Sequence, residues 1–422
     1  MPTNSPNTAW FPDKLSLVSS RSSRTLRVLG AASIIAVLFN LFYFNSNVSR
    51  AAPPFLRPGG SNDLAAAAAG NSTLGFSSIQ FINLKHRYDR GDAGTLQAYL
   101  SGLDIAGAPG VESVDIHDAG MPPTHRKGAL QYKEKATWRA HANVSLFIDA
   151  KWHIRADHVK IWSQVLRTKA PAVLIIEADA AWDLNIREIM SNMNQHFTLL
   201  LQRLNSTPVH SAEWGSRSPL EKSPEYLRPN PDDPWHVRHW DMLSLGQCFE
   251  SGNNNNINDS IIYPDKHMTK EKDYYGRKLH HERVIRVSGG IVCTTAYAIS
   301  QTGAAKLLLR SAVDLDNPVD LLMRRMIMSG DLITYSVMPT IFAQWEYVNH
   351  IGMRQYNSDI KVGQSEEDST GWTTVQETGS VWRENNFHPD IAFENMALEK
   401  AWGLILQGAN LKNSLYDDKT GN

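Results

Sequence analysis

A continuous apolar run at residues 172–176 leads directly into the acids Glu177, Asp179 and Asp183. An uninterrupted run of this length, preceded by Pro171, predicts a buried central strand that ends at a sheet edge. Ligands of open α/β sheets bind just outside the carboxyl ends of strands. Carboxylates at this edge therefore predict a divalent-cation site that in turn holds phosphates. A solvated strand-to-helix turn explains the local pattern equally well, because acid-x-acid spacing is not specific.

Other segments continue an alternation of strands and helices. Apolar residues recur at spacings of three and four from Ile186 to Leu204, which predicts a helix with Asp183 placed to cap it. Residues 265–281 predict a long loop, and the patterning weakens past residue 360. The remaining predictions are strands at 79–84, 287–299 and 333–337, and helices at 96–103, 303–309 and 392–406.

The N-terminal segment predicts a membrane anchor. Residues 1–27 are rich in basic side chains, and residues 28–44 contain no charge, which is short for a transmembrane helix but within range. The basic excess precedes the span, so residues 1–27 should be cytosolic and the remainder lumenal. A cleaved signal peptide is the alternative, but the run is long for that role and no small-residue cleavage site follows it.

Residues 45–76 are predicted to be a linker, because proline, glycine and an alanine run at 65–69 dominate them. The folded domain is then expected to begin at Ser77. Cys248 and Cys293 could pair in an oxidising lumen. Two buried free thiols are the alternative.

Composition limits the function classes. A chain of 422 residues that is 42% hydrophobic suits one large or two modest domains. Its net charge of −1 argues against a general nucleic-acid binder. The polar, basic stretch at residues 85–90 follows the first predicted strand and can contact the phosphates or ribose of a nucleotide, with a solvated loop as the simpler interpretation.

Several segments together resemble glycosyltransferase family 25, the lipooligosaccharide and collagen galactosyltransferase group, and its membrane-anchored fungal branch. They run in the family's order from residue 79 to residue 360. The segments are INLKHRYDR (82–90), WRAHAN (138–143), LIIEADAAWD (174–183), CTTAYAIS (293–300), GAAKLL (303–308), PVD (318–320), Gln344 and SDI (358–360). Each motif is weak alone, but the ordered set is specific.

The resemblance implies a GT-A-like fold at residues 77–360, with a mixed sheet, helices on both faces, and a C-terminal extension at 361–422. It implies transfer of a hexose, first of all galactose from UDP-galactose, to a glycan or glycoprotein with inversion, in the Golgi or endoplasmic reticulum membrane. Such transfer needs a cation, Mn²⁺ or Mg²⁺, to neutralise the leaving diphosphate and a general base to deprotonate the acceptor. It also implies that both cysteines belong to the common fold, so we predict a Cys248–Cys293 disulfide.

Candidate site residues follow from the same resemblance. The metal ligands are expected to be Glu177, Asp179 and Asp183. The nucleotide is expected to contact Asn83, Arg87, Asp89 and Arg90. The candidate bases or acceptor ligands are Asp241 and Asp320.

Two departures from the family's pattern favour a competing function, a lumenal binding or scaffolding protein with a degenerate transferase fold. Alanine replaces acids at positions 178 and 181, so one expected ligand is missing at Ala178. Residues 144–160 also interrupt a predicted helix, and their removal would restore the family's spacing between His141 and Trp162. The segment begins with Val-Ser and ends with Lys, residues that the codons of splice sites can encode. We interpret the segment as a retained intron that is translated in frame, because it interrupts a helix. A genuine surface loop is the alternative, since insertions in loops cost little stability.

Overall fold

The computed structural model describes residues 61–142, 161–209, 227–251, 259–268, 272–348, 351, 371–384 and 393–406. The predicted tail and anchor (1–44) and the segment 144–160 lie outside these ranges. Within them, no helix combines the length and the hydropathy that crossing a bilayer requires.

The secondary structure is numbered in chain order. The helices are α1 (Ser61–Ala69), α2 (Tyr88–Ser101), α3 (Tyr132–Ala142), α4 (Ile161–Thr168), α5 (Ile186–Arg203), α6 (Gln301–Val313), α7 (Val319–Met328), α8 (Gly371–Thr378) and α9 (Ala397–Ile405). The strands are β1 (Ile79–Asn83), β2 (Ile105–Pro109), β3 (Ala172–Glu177), β4 (Ala180–Trp182), β5 (Met242–Ser244), β6 (Phe249–Glu250), β7 (Ser260–Pro264), β8 (Lys272–Tyr274), β9 (Arg277–Leu279), β10 (Glu282–Val287), β11 (Ile291–Val292), β12 (Ala296–Ser300), β13 (Thr334–Met338), β14 (Phe342–Tyr347) and β15 (Trp382–Glu384).

A mixed eight-stranded sheet forms the centre of the fold, in the order β2-β1-β3-β12-β5-β13-β10-β7. β1 pairs parallel with β2 and β3, and β5 pairs parallel with β13, whereas β12 runs antiparallel to both of its neighbours. The prediction of a buried central strand at 172–176 is confirmed, because β3 lies inside the sheet and its apolar residues are all buried.

Both faces of this sheet are covered, as predicted. The side chains of β3 alternate between two hydrophobic cores, because successive residues of a strand point to opposite faces. Leu174 and Ile176 join the core that contains α5, and Val173 and Ile175 join the core that contains residues of α3, α4, α6 and α7. A three-stranded sheet, β15-β14-β4, continues from the end of β3.

The linker prediction for residues 45–76 is wrong from residue 61 onward. The alanine run forms α1, in which Ala65, Ala66 and Ala69 are buried. Arg187 Nε of α5 donates to the carbonyl of Gly70 at 2.7 Å. Alanine is the strongest helix former, and its small side chain allows close helix packing. The same composition that suggests a spacer therefore builds part of the core.

Two further boundaries are corrected. The predicted helix at 96–103 is α2, which begins at Tyr88 and includes part of the expected basic loop. The expected loop at 265–281 contains the β8–β9 hairpin. Described residues of the predicted C-terminal extension pack against the domain, because β15 pairs with β14 and Phe393 and Met396 join a core with Ala181.

Candidate functional site

The candidate site lies where β1 and β3 end and β12 begins. β1 and β3 are parallel, so their last residues, Asn83 and Glu177, meet at one edge of the sheet. Glu177 N donates to the carbonyl of Thr295, just before β12, at 2.9 Å. A two-residue turn, Ala178-Asp179, then carries the chain into β4 of the smaller sheet. The predicted ligands Glu177 and Asp179 therefore lie close to the start of β12.

Glu177 is held by two hydrogen bonds to one oxygen. Its Oε1 accepts from Thr294 Oγ1 at 2.6 Å and is 3.0 Å from His141 Nε2. Burial raises the pKa of the Glu177 carboxyl, but the contacts with His141 and Thr294 and the charge of Arg90 outweigh this and hold that pKa below its usual range. The Glu177 side chain is 23% exposed, so the carboxylate reaches the surface of the site.

A buried polar chain supports this carboxylate from behind. Trp162 Nε1 donates to the Tyr297 hydroxyl at 3.2 Å, and that hydroxyl is also 3.2 Å from His141 Nδ1. With Tyr297 donating to Nδ1, the imidazole carries its proton on Nε2 and donates to Glu177. Burial raises the pKa of Tyr297, so the phenol stays neutral. His141 and Trp162, on either side of the segment 144–160, thus meet at one hydroxyl.

Asp179 faces the same edge as Glu177, with a side chain that is 14% exposed. Its Oδ2 lies 3.7 Å from Arg90 Nη2 and 3.4 Å from Gln344 Nε2. Ala178, between the two acids, instead packs into the core with Ile176 and Ala180. The Ala178 side chain is therefore part of the hydrophobic core in this fold.

The predicted nucleotide-contacting residues lie beside this pair at the start of α2. Arg87 donates to Asp89 through Nε and Nη2, each at 2.9 Å, and Asn83 Nδ2 donates to the carbonyl of Arg87 at 3.0 Å. Burial raises the pKa of Asp89, but the hydrogen bonds and charges of Arg87 and Arg90 together lower it by more. Among the described residues, no hydrogen-bond partner reaches the buried Asn83 Oδ1. Arg87 therefore orders the turn that leads into α2, and Arg90 lies beside Asp179.

Asp320 lies at the same edge, at the start of α7. Its Oδ2 accepts from Cys293 N at 3.2 Å. Cys293 lies between β11 and β12, not within one strand as predicted, and has a left-handed backbone with φ of +68°. The predicted Cys248–Cys293 disulfide is confirmed, with the two Cα atoms 5.4 Å apart.

Asp241 and Asp183 are placed elsewhere. Asp241 precedes β5, and the register of β5 with β12 puts it beside Ser300, at the opposite end of β12 from Ala296. Its Oδ2 accepts from Lys306 Nζ at 2.5 Å and from Ile333 N at 2.8 Å. The structure therefore separates Asp241 from the other candidates.

Asp183 is fully buried and bonded to the backbone on both sides. Oδ1 accepts from Asn185 N at 2.8 Å, and Oδ2 accepts from Asn395 N at 2.8 Å. Asn185, not Asp183, is the N-cap residue of α5. The Asp183 carboxylate thus joins the start of α5 to the C-terminal region and lacks a free oxygen for a metal.

Three side chains that contact Glu177 or Asp179 received no role from the sequence, namely His141, Thr294 and Gln344. Each falls inside a motif of the family resemblance, which was the one signal that pointed to them. Their contacts exist because α3, β12 and β14 pack against β3 and the turn that follows it. Hydrophobic periodicity does not predict such long-range packing.

Another group of metal-type ligands comes together at the C-terminal end of α6. One ligand atom each of His125, Asp314 and Asp316 lies within 4.8 Å of the others. Asp316 is already paired with Arg310 at 2.8 Å and Arg325 at 2.7 Å. Burial raises the pKa of Asp316, but hydrogen bonds from Asn317 and these arginines lower it to about 2. The geometry is that of an ion-pair cluster.

The fold and site together define an α/β protein with an acidic, arginine-flanked site at the carboxyl edge of a mixed sheet. Comparison with protein-family models and with curated proteins finds no match for this chain.

Proposed function

We propose that this protein is a glycosyltransferase of the family 25 type, with a GT-A-like fold. It transfers a hexose to a hydroxyl group of a glycan or glycoprotein, with inversion at the anomeric carbon. The proposed donor is UDP-galactose. The observation that carries the proposal is the partly exposed pair Glu177 and Asp179 at the carboxyl edge of the central strands, with Arg90 beside it. The ordered motifs of the sequence supply the substrate class.

The donor nucleotide suits the groups around the acid pair. The N-terminus of α2 offers backbone N–H groups and the positive end of a helix dipole, which favour phosphate. Arg90 adds a positive charge 3.7 Å from Asp179. Asn83 Oδ1 is a buried acceptor that a ribose hydroxyl or base N–H would satisfy.

A divalent cation fits this arrangement. Mg²⁺ and Mn²⁺ sites that handle phosphates use one or two protein carboxylates, with water and phosphate oxygens completing the shell. Glu177 and Asp179 provide two carboxylates on the exposed side of the turn, and the lowered pKa of Glu177 keeps that group ionised at neutral pH. A bound cation would neutralise charge on the leaving diphosphate.

On the acceptor side, Asp320 is the better candidate of the two predicted bases. It shares an edge with Glu177 through Cys293 and Thr294, whereas Asp241 lies at the opposite end of β12. We place the catalytic domain in the lumen of the Golgi or endoplasmic reticulum, as a type II protein anchored by residues 28–44. The disulfide supports this location, because such bridges persist in oxidising compartments.

Calorimetric titration of the full-length protein with UDP-galactose, in Mn²⁺ and in EDTA, tests the proposal. Glu177→Gln and Asp179→Asn should each weaken Mn²⁺-dependent binding at least about tenfold, a change of about 1.4 kcal/mol. Asp118→Asn, at an exposed acid paired with Lys135, is the control and should bind as the wild type does. If the wild type binds no UDP-sugar in Mn²⁺, the enzymatic proposal fails and the binding or scaffolding alternative replaces it.

A further inference from the structure

A small cavity lies beside β6, under the β8–β9 hairpin and at the end of β13. Its volume is about 230 Å³, below the range of ~300–1,000 Å³ typical of pockets for drug-sized ligands. Three aromatic side chains line it, Phe249, Tyr274 and Tyr275. The cavity therefore has room for one ring-sized group rather than a whole nucleotide sugar.

The aromatic walls are open to solvent. Phe249 is 57% exposed and Tyr275 is 45% exposed. The Tyr274 and Tyr275 rings are nearly perpendicular, with centroids 4.8 Å apart and planes at 72°. Grouped exposed aromatics mark binding surfaces, since burying them would release water from apolar area. The corner between perpendicular rings does not form the parallel sandwich that suits a planar base.

Tyr275 occupies a backbone conformation that its side chain disfavours. It has φ of +52°, and the next residue, Gly276, has φ of +81°. Two successive left-handed residues between β8 and β9 are typical of the two-residue hairpin turn that prefers Asn-Gly. A tyrosine is strained there, because its Cβ crowds the following carbonyl. Strain of this kind concentrates at functional positions, and here it brings an aromatic ring to the cavity.

The floor of the cavity is polar and rigid. Glu250 Oε2 accepts from Arg286 Nη2 at 2.6 Å, and Glu250 Oε1 accepts from Gly289 N at 3.0 Å. Arg286 also lies 5.6 Å from the centre of the Tyr274 ring. With Asp273, the lining holds two carboxylates against one guanidinium. This balance disfavours a phosphate and suits a neutral ligand that is rich in hydroxyl groups.

We propose that this cavity binds a pyranose ring of a neutral glycan. The aliphatic C–H face of the sugar would pack on Phe249 and Tyr275, and its hydroxyls would bond Asp273. The site adjoins the candidate active site through the disulfide, since Phe249 follows Cys248 and Thr294 follows Cys293. Its role as an acceptor site rests on the proposed transferase function, whereas glycan binding itself does not.

Saturation-transfer NMR on the full-length protein tests this, in a detergent without a sugar headgroup and without added metal. The probes are methyl β-D-galactopyranoside, methyl α-D-mannopyranoside and UMP. At least one glycoside should give transfer signals that fall at least about fivefold in Phe249→Ala and Tyr275→Asn. Because Asn favours the left-handed turn, Tyr275→Asn should melt at the same or a higher temperature. Tyr99→Ala removes an exposed ring on α2 and is the control that should bind normally.

The proposal is overturned if neither glycoside gives a transfer signal, or if the glycoside signals are undiminished in Tyr275→Asn. It is also overturned if UMP is the one probe whose signal falls in Phe249→Ala and Tyr275→Asn. Mn²⁺-dependent UDP-galactose binding, measured on the same Tyr275→Asn protein, should match the wild type. If the wild type binds UDP-galactose but neither glycoside, the proposal of a glycan-binding cavity is refuted and the transferase proposal stands. Glycoside binding without donor binding would refute the transferase proposal and leave a glycan-binding protein.

Discussion

Ala178 shows that one residue between two acids can serve the core rather than the site. Its neighbours Glu177 and Asp179 face the partly exposed edge, while its own methyl group is buried. Ala178 and Asp179 form the turn after β3, and in this turn the alanine lies on the buried side. The alanine is thus a packing residue, and the sequence motif alone gives no indication of that.

We predict that Ala178→Asp destabilises the protein rather than restoring a metal ligand. A carboxyl group there would be buried among Ile176, Ala180 and their neighbours without a partner, which should lower the free energy of unfolding by at least about 2 kcal/mol. Chemical denaturation measures the effect, with Ala67→Asp, at an exposed alanine of α1, as the control. Unchanged stability together with tighter Mn²⁺ binding would return position 178 to the ligand set.

Part of the candidate site could be predicted from the residues alone. Glu177 and Asp179 were found because a long apolar run ends in acids, and Arg90 because a basic stretch follows the first strand. The sequence does not distinguish Asp241 from Asp320 as the candidate base. The direction of the adjacent strand decides at which edge of the sheet such an acid lies, and the sequence does not reveal that direction. β5 runs antiparallel to β12, so Asp241 lies at the edge away from Glu177.

At the scale of elements, the junction of α6 and α7 is held by one carboxylate between two guanidiniums. Asp316 lies between the helices and bonds Arg310 of α6 and Arg325 of α7. The helices that cover one face of the sheet are thereby joined by charge as well as by apolar packing. This pairing makes the junction sensitive to acid.

We predict that Asp316→Asn lowers the free energy of unfolding at pH 7 by roughly 1–2 kcal/mol, the range for partly exposed hydrogen bonds to charged groups. The folded-state pKa of about 2 lies below the unfolded value of about 3.9. The stabilisation is therefore fully present above about pH 4 and is lost as the pH falls toward 2. Denaturation curves of the variant and wild type should converge over that interval. A constant difference down to pH 2 would refute the assignment, and Asp104→Asn, at an exposed aspartate, serves as the control.

For the whole molecule, long periodic or uniformly apolar segments were predictable and short ones were not. β3, α5 and β13 follow their sequence patterns closely. The β8–β9 hairpin and β15 are short and polar, and β15 pairs with β14, far from it in the chain. The C-terminal region joins the domain through contacts such as Asp183 with Asn395, which no local pattern reveals.

The convergence of His141 and Trp162 on Tyr297 bears on the segment 144–160. We predict that a variant without these residues folds with equal or greater stability, because its two functional neighbours would then stand one turn apart on a single helix. Thermal unfolding and Mn²⁺-dependent UDP-galactose binding measure the outcome.

A variant carrying a scrambled 144–160 sequence is the matched control, since a segment without specific contacts should tolerate scrambling as well as removal. Long-read transcripts that lack the codons for 144–160 would support a retained intron. Loss of binding in both the deleted and the scrambled proteins, with transcripts that always contain these codons, would establish a genuine functional loop.

The Cys248–Cys293 bridge has a practical consequence for biochemical work on this protein. It joins the segment that carries Thr294, a partner of Glu177, to the residue that precedes β6, the strand that carries Phe249. Production in a bacterial cytosol would leave both thiols reduced, and dithiothreitol in an assay buffer would reduce this half-buried bridge. Either treatment would remove the covalent link between these two segments. A preparation of the intact protein would then show weaker donor and glycan binding. Secreted expression and thiol-free buffers are therefore the conditions under which donor and glycan binding should be measured together.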